Sequence, residues 1–79
     1  MKIYDFNGSK NISGARIKEA RKRAKLSQEM LAARLQTEGV NIERDSVSRI
    51  EIGTRFVADY ELLALCKILS VTPEYLLGL

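Results

Sequence analysis

Histidine is absent from this chain, and with it a frequent general base and the commonest metal ligand. A single cysteine, Cys66, excludes an internal disulfide framework and a zinc finger alike, and suits a reducing compartment. There is no tryptophan, and Pro73 is the one proline. Leu, Ile and Ala dominate the apolar set instead, which favours helix over strand. No apolar run approaches the roughly 18 residues that a membrane-spanning helix needs, and no signal-peptide pattern opens the sequence. No glycine-rich phosphate loop is present either. The carboxylates fall on outward helix faces or at helix starts, where capping accounts for them. Cys66 falls on an apolar stripe, as a small core residue would. Catalysis is therefore not expected, nor is a metal, a cofactor or a small-molecule ligand.

What charge there is lies unevenly. The 79 residues carry +3 overall, but residues 1–26 hold eight Lys/Arg against Asp5 and Glu19, a net of +6. The remainder holds five Lys/Arg against eight Asp/Glu, a net of −3. Such segregation is the footprint that a polyanionic partner requires, although a solvated helix face would produce it too.

A chain of this length has room for one domain with a small core. Residues 1–12 read as an N-terminal extension. Asn7-Gly8 is a turn signal there, and Ile3, Tyr4 and Phe6 are free to pack on the body or to fray. Residues 13–79 read as an all-α domain of five helices. The first is expected from about Ser13 to Ala24, with Ile17, Ala20, Ala24 and Leu26 inward and Arg21 bordering that face. The second opens at Ser27, turns Leu31, Ala32 and Leu35 inward, and stops near Glu38 with Gly39 as a left-handed end. Met30 is assigned to packing. The third starts at Glu43 or Arg44 and ends before Gly53, with Val47 and Ile50 inward and Arg44, Asp45, Ser48 and Arg49 outward. The fourth spans Asp59 to Leu69 around Leu62, Leu65, Cys66 and Leu69, with Tyr60 at the core or its rim. Thr72-Pro73-Glu74 opens a short fifth helix that Gly78 ends.

The stretch from Ser27 to Arg55 organises the rest. Two short amphipathic helices joined by a turn form the minimal helix-turn-helix. The residue types narrow this further: Gln28 follows the capping Ser27, small Ala32 lies mid-helix, and Val47, Ile50, Glu51 and Gly53 follow in order. With the runs LSQEMLAARL, SVSRIEIGTR and DYELLALCKILSVTPEYLLG, residues 12–78 resemble the Cro and lambda-type phage repressor family, the XRE-type regulators. The resemblance implies a compact lambda-repressor-like fold. There are departures from the family. Gln28 and Val47 stand 19 positions apart, about five more than is usual for the family, which lengthens the second helix or the short turn of the motif. Gln36 replaces the turn glycine, and Ile52 replaces an asparagine that meets the DNA backbone. Val40 and Ile42 are expected to pin the longer loop to the body.

Carried over position by position, the resemblance implies a recognition helix over about residues 44–52 in the major groove. Base contacts fall to Arg44, Asp45 and Arg49, with Ser46 and Ser48 beside them. The DNA backbone falls to Ser27, Gln28, Thr54 and Arg55, with Glu43 at the edge of reach, where its charge helps the helix start and weakens phosphate attraction. Arg21 and Glu51 are expected to form a structural ion pair between the first helix and the recognition helix. The implied partner is a double-stranded DNA operator bound by a homodimer in a prokaryotic or phage-type, nucleoid-associated cytoplasm. Its two-fold contact would use Tyr75, Leu76, Leu77 and Leu79 with the outer side of the fourth helix, the competing reading being that these leucines only close the core. The alternative is a protein-interaction or antitoxin-like module of the same fold that no longer binds DNA. Arg44, Arg49, Arg55 and Gln28 occurring together favour the regulator.

Overall fold

A computed structural model describes residues 5–79. Within them lie five helices: α1 (Gly14–Arg23), α2 (Gln28–Thr37), α3 (Arg44–Ile52), α4 (Asp59–Leu69) and α5 (Pro73–Leu77). The only strand-like pairing among these residues is an isolated bridge between Phe6 and Ser9 around the Asn7-Gly8 turn. No helix here is long and apolar enough to cross a membrane. Ile3 and Tyr4, expected to pack or fray, lie outside the described residues.

The helix starts follow from side-chain chemistry. Ser27 Oγ accepts from the Met30 amide at 3.0 Å, and Thr72 Oγ1 accepts from the Tyr75 amide at 3.1 Å. Ala58 has no acceptor to offer α4. There Glu61 reaches back to the Ala58 amide at 2.9 Å, so one half of a capping box forms. At α1 the cap is not Ser13 but Asn11, whose Oδ1 accepts from the amides of Ser13 and Gly14 at 3.1 and 2.7 Å.

All five helices end alike, on a residue with positive φ whose successor donates back to the last turn. Gly39, Gly53 and Gly78 fill this position for α2, α3 and α5, and Lys25 and Ser70 fill it for α1 and α4. The returning amides are Leu26 to Arg21 O, Val40 to Leu35 O, Thr54 to Arg49 O, Val71 to Cys66 O and Leu79 to Glu74 O, at 2.8–3.1 Å. The surplus residues between α2 and α3 are therefore an ordered connection. Val40 and Ile42 are buried, and Gln36 Nε2 donates to Ile42 O at 2.9 Å. The Glu38 carboxylate meets Lys67 of α4 at 2.9 Å.

The core is formed by Ile17, Leu31, Leu35, Val47, Ile50, Leu65 and Leu76, each all but inaccessible, with the smaller Ala20, Ala32, Ala64 and Cys66 between the helices. Removing one of these leucines to Ala would open a cavity worth about 2–5 kcal/mol. Four expectations fail. Tyr60, placed at the core or its rim, is 62% exposed on the outer side of α4. Ala24, placed inward, is exposed, because α1 has already ended at Arg23. Met30 is 47% exposed and packs less than expected. Leu76, assigned to a two-fold surface, is fully buried and closes the core, with Tyr75 and Leu77 only partly exposed beside it.

Ser70 holds φ +56° without being glycine. Ser70→Gly should relieve about 1 kcal/mol of left-handed strain and raise Tm by about 5 °C, measured by circular dichroism. A lowered Tm would show that the serine side chain contributes more than its backbone costs.

Candidate nucleic-acid interface

Helix α3 packs chiefly against α1 and α2 and is anchored through one carboxylate. Glu51, in its last turn, is buried, and its carboxylate takes a fork from Arg21: Nε to Oε2 at 2.6 Å and one terminal nitrogen to Oε1 at 3.0 Å. The other terminal nitrogen of Arg21 donates to Leu26 O at 2.8 Å. Gln28 Nε2, at the start of α2, adds a 3.0 Å bond to Glu51 Oε1. Two bidentate oxygens and three donors satisfy the charges where water is excluded. The hydrogen bonds to Glu51 raise the Arg21 pKa above its ordinary value, with burial opposing and the Glu51 charge adding. A raised cation pKa contributes stability below the unfolded value and loses it only as pH climbs through the folded one, far into the alkaline range.

With Val47, Ile50 and Glu51 turned inward, the opposite side of α3 is open. Asp45, Arg49 and Ile52, spaced i, i+4, i+7, form its crest and are all exposed. Arg44 lies alongside in the first turn and pairs loosely with Asp45 at 3.2 Å, both side chains more than half accessible. Ser46 and Ser48 are partly buried on the flanks, and Glu43 is the exposed residue just before the helix. Ile52, to which no contact was assigned, stands on the crest with 68% of its surface exposed. Its i+7 relation to Asp45 was the signal that could have placed it there.

Of the residues assigned to the DNA backbone, Ser27 caps α2 and keeps its hydroxyl proton free to donate. Thr54 is exposed just past α3. Gln28 spends one amide hydrogen on Glu51, so a phosphate contact is left with the other. Arg55 departs furthest from its assignment. Its two terminal nitrogens bond the Glu61 carboxylate at 2.9 and 3.1 Å, one also reaches Phe56 O, and the guanidinium lies over the Phe56 ring. Glu61, read only as an acidic helix start, is buried, and that burial demands a cation. Arg55 supplies it, so its guanidinium is engaged in a structural pair, and a phosphate contact is left with the N–H groups that Glu61 and Phe56 do not use.

A family model described as a helix-turn-helix domain matches residues 14–76. This chain belongs to the helix-turn-helix family. No curated protein and no solved structure shows a significant match. In the helix-turn-helix, α2 is the first helix and α3 the second, the one that such domains present to the major groove. The helix-turn-helix assignment thus marks the chain as a DNA-binding regulator in broad terms. Cys66 lies away from the crest of α3, on α4. Burial pushes its thiol pKa up, with Glu74 adding, so the neutral thiol persists as a core group.

The two ion pairs carry separate expectations. Glu51→Ala leaves Arg21 buried without its counter-charge and should cost about 3 kcal/mol or more. Arg55→Ala strands Glu61 and should cost about 2 kcal/mol. Urea denaturation measures both. A Glu51→Ala midpoint equal to that of the parent chain would show that Arg21 finds water instead.

Proposed function

We propose that this chain is a sequence-specific transcriptional repressor of the Cro and lambda-type, XRE kind, non-catalytic, acting as a symmetric homodimer on an operator duplex in a prokaryotic or phage-type cytoplasm. The observation that carries the reading is the asymmetry of α3. Its inner face is locked by Arg21, Gln28 and Glu51, while Asp45, Arg49 and Ile52 and the neighbouring Arg44 have only solvent before them. A helix held this firmly with a polar crest is suited to base edges, since the side chains that read them must be placed without slack.

Within that reading, Arg44 enters deepest, because the N-terminal turn approaches the groove floor. Its guanidinium can fork onto guanine O6 and N7, and Asp45 can accept from cytosine N4. Arg49 lies five positions on and reaches a different base or the groove wall. Ser27, Gln28 and Thr54 are the backbone contacts of the proposal. With Leu76 buried, the apolar surface that supports pairing is Tyr60, Leu63 and Leu79, each more than 60% exposed. Two recognition helices would then span half-sites about 34 Å apart.

Selection of bound sites from a random duplex pool tests the reading, and a two-fold symmetric consensus is the expected result. On the selected site, Arg44→Ala should weaken binding about tenfold or more and relax preference at one base pair. Arg49→Ala should affect a different position. If Arg44→Ala weakens cognate and scrambled duplexes equally across a salt series, Arg44 contacts phosphate and not a base. A parent chain that binds no duplex even at low salt would favour a protein-interaction or antitoxin-like module instead.

A further inference from the structure

The segment Ser9–Asn11 precedes every residue that the helix-turn-helix match covers, yet it is fastened to the end of the recognition helix. Lys10 N donates to Gly53 O at 2.8 Å, and Ser9 Oγ lies 3.2 Å from the same oxygen. Asn11 Nδ2 donates to Ile50 O at 2.9 Å and to Arg55 O at 2.8 Å. Its Oδ1 meanwhile accepts the two first amides of α1. One side-chain amide thus uses both hydrogens and its oxygen to join three elements: the start of α1, the last turn of α3, and the connection that follows it. The approach is close. A Cβ on Gly14 would strike the Ile50 carbonyl oxygen, and one on Gly53 would meet Ser9 Oγ.

We propose that Asn11, with Ser9 and Lys10, is a positioning element for DNA readout. It fixes the angle between α3, which bears Arg44 and Arg49, and the following connection, which bears Thr54, without itself touching DNA. The inference rests on the DNA-binding reading above. Ile50 O and Arg55 O lie on either side of the chain reversal at Gly53, so holding both sets that reversal rigidly. If the hold is lost, base contacts and backbone contacts no longer fall in register together, and preorganisation is lost from the specific complex first.

Asn11→Ser separates the roles, because serine still accepts from the α1 amides but cannot hold two carbonyls at once. Asn11→Asp is the companion variant, keeping the cap while removing both donors and facing the carbonyls with negative charge. Each is compared with the parent chain for binding to the selected duplex and to a scrambled one, at a temperature where circular dichroism shows both variants folded. For Asn11→Ser the cognate affinity should fall about tenfold, with scrambled binding and salt slope within about twofold of the parent. Asn11→Asp should lose the same preference and weaken both duplexes further by its charge. Deleting residues 1–8, which leaves the clamp in place, should preserve the preference. An unchanged cognate-to-scrambled ratio in folded Asn11→Ser overturns the proposal, as does equal weakening on both duplexes. Failure of both variants to fold also overturns it, by making Asn11 a folding determinant only. A parent chain that prefers no duplex removes the DNA-binding reading itself, which is a separate result.

Discussion

The carboxylate of Glu51 is the point on which the rest of the molecule depends. It lies on α3, receives a guanidinium from α1 and an amide from α2, and has almost no contact with solvent. A buried carboxylate without donors costs several kcal/mol, a large share of the stability of a domain this small. The burial of α3 is therefore coupled to bringing Arg21 and Gln28 to the same place. Hydrophobic contact between Ile17, Leu35, Val47 and Ile50 holds the three helices together but tolerates sliding. The fork at Glu51 does not, since its two bonds fix both distance and orientation. The outward direction of Asp45 and Arg49 is in this sense set from the inside.

Arg55 and Glu61 repeat the arrangement at the next joint, between the connection after α3 and the start of α4. With Asn11 bridging the opposite side of that connection, the residues after Gly53 are held from two directions. The longer connection between α2 and α3 is secured differently, through Val40 and Ile42 in the core and Glu38 on Lys67. Added chain length costs little closure entropy when it carries its own apolar anchors.

All five helices were legible in the sequence from their apolar stripes, and α2, α3 and α5 from their terminal chemistry as well. Ser27, Thr72-Pro73, Gly39, Gly53 and Gly78 all stand where a reader of caps would place them. What was not legible depends on distance along the chain. Asn11 lies some 40 positions from its partners Ile50 and Arg55, and nothing local announces an amide that will hold carbonyls of another helix. The Glu61 partner of Arg55 went unread in the sequence for a related reason. An arginine after such a helix offers itself to phosphate and carboxylate alike, and only the burial of Glu61 reveals the carboxylate. Leu76 illustrates the converse: a leucine near a chain end is apolar surface or core according to whether α5 folds back, as it does onto α1 and α4.

Charge completes the picture of the proposed DNA contact. On and beside α3, Arg44 and Arg49 are balanced by Glu43 and Asp45, so the readout surface has almost no net attraction for a polyanion. Elsewhere among the described residues, Arg21, Arg23, Arg55, Lys10 and Lys67 are each matched with a carboxylate. The cations left without one include Arg16, Lys18, Lys22 and Lys25, on α1 or its C-terminal turn, and Arg34 on α2. On the proposed reading, general attraction to phosphate is then expected mainly from the first helix and discrimination from the third. A reader with strong charge on its reading face would bind any duplex well and lose by non-specific binding what it gained in affinity. Separating the two, and joining them rigidly through Arg21 and Glu51, would on that reading let long-range attraction bring the domain to DNA without deciding which sequence it keeps.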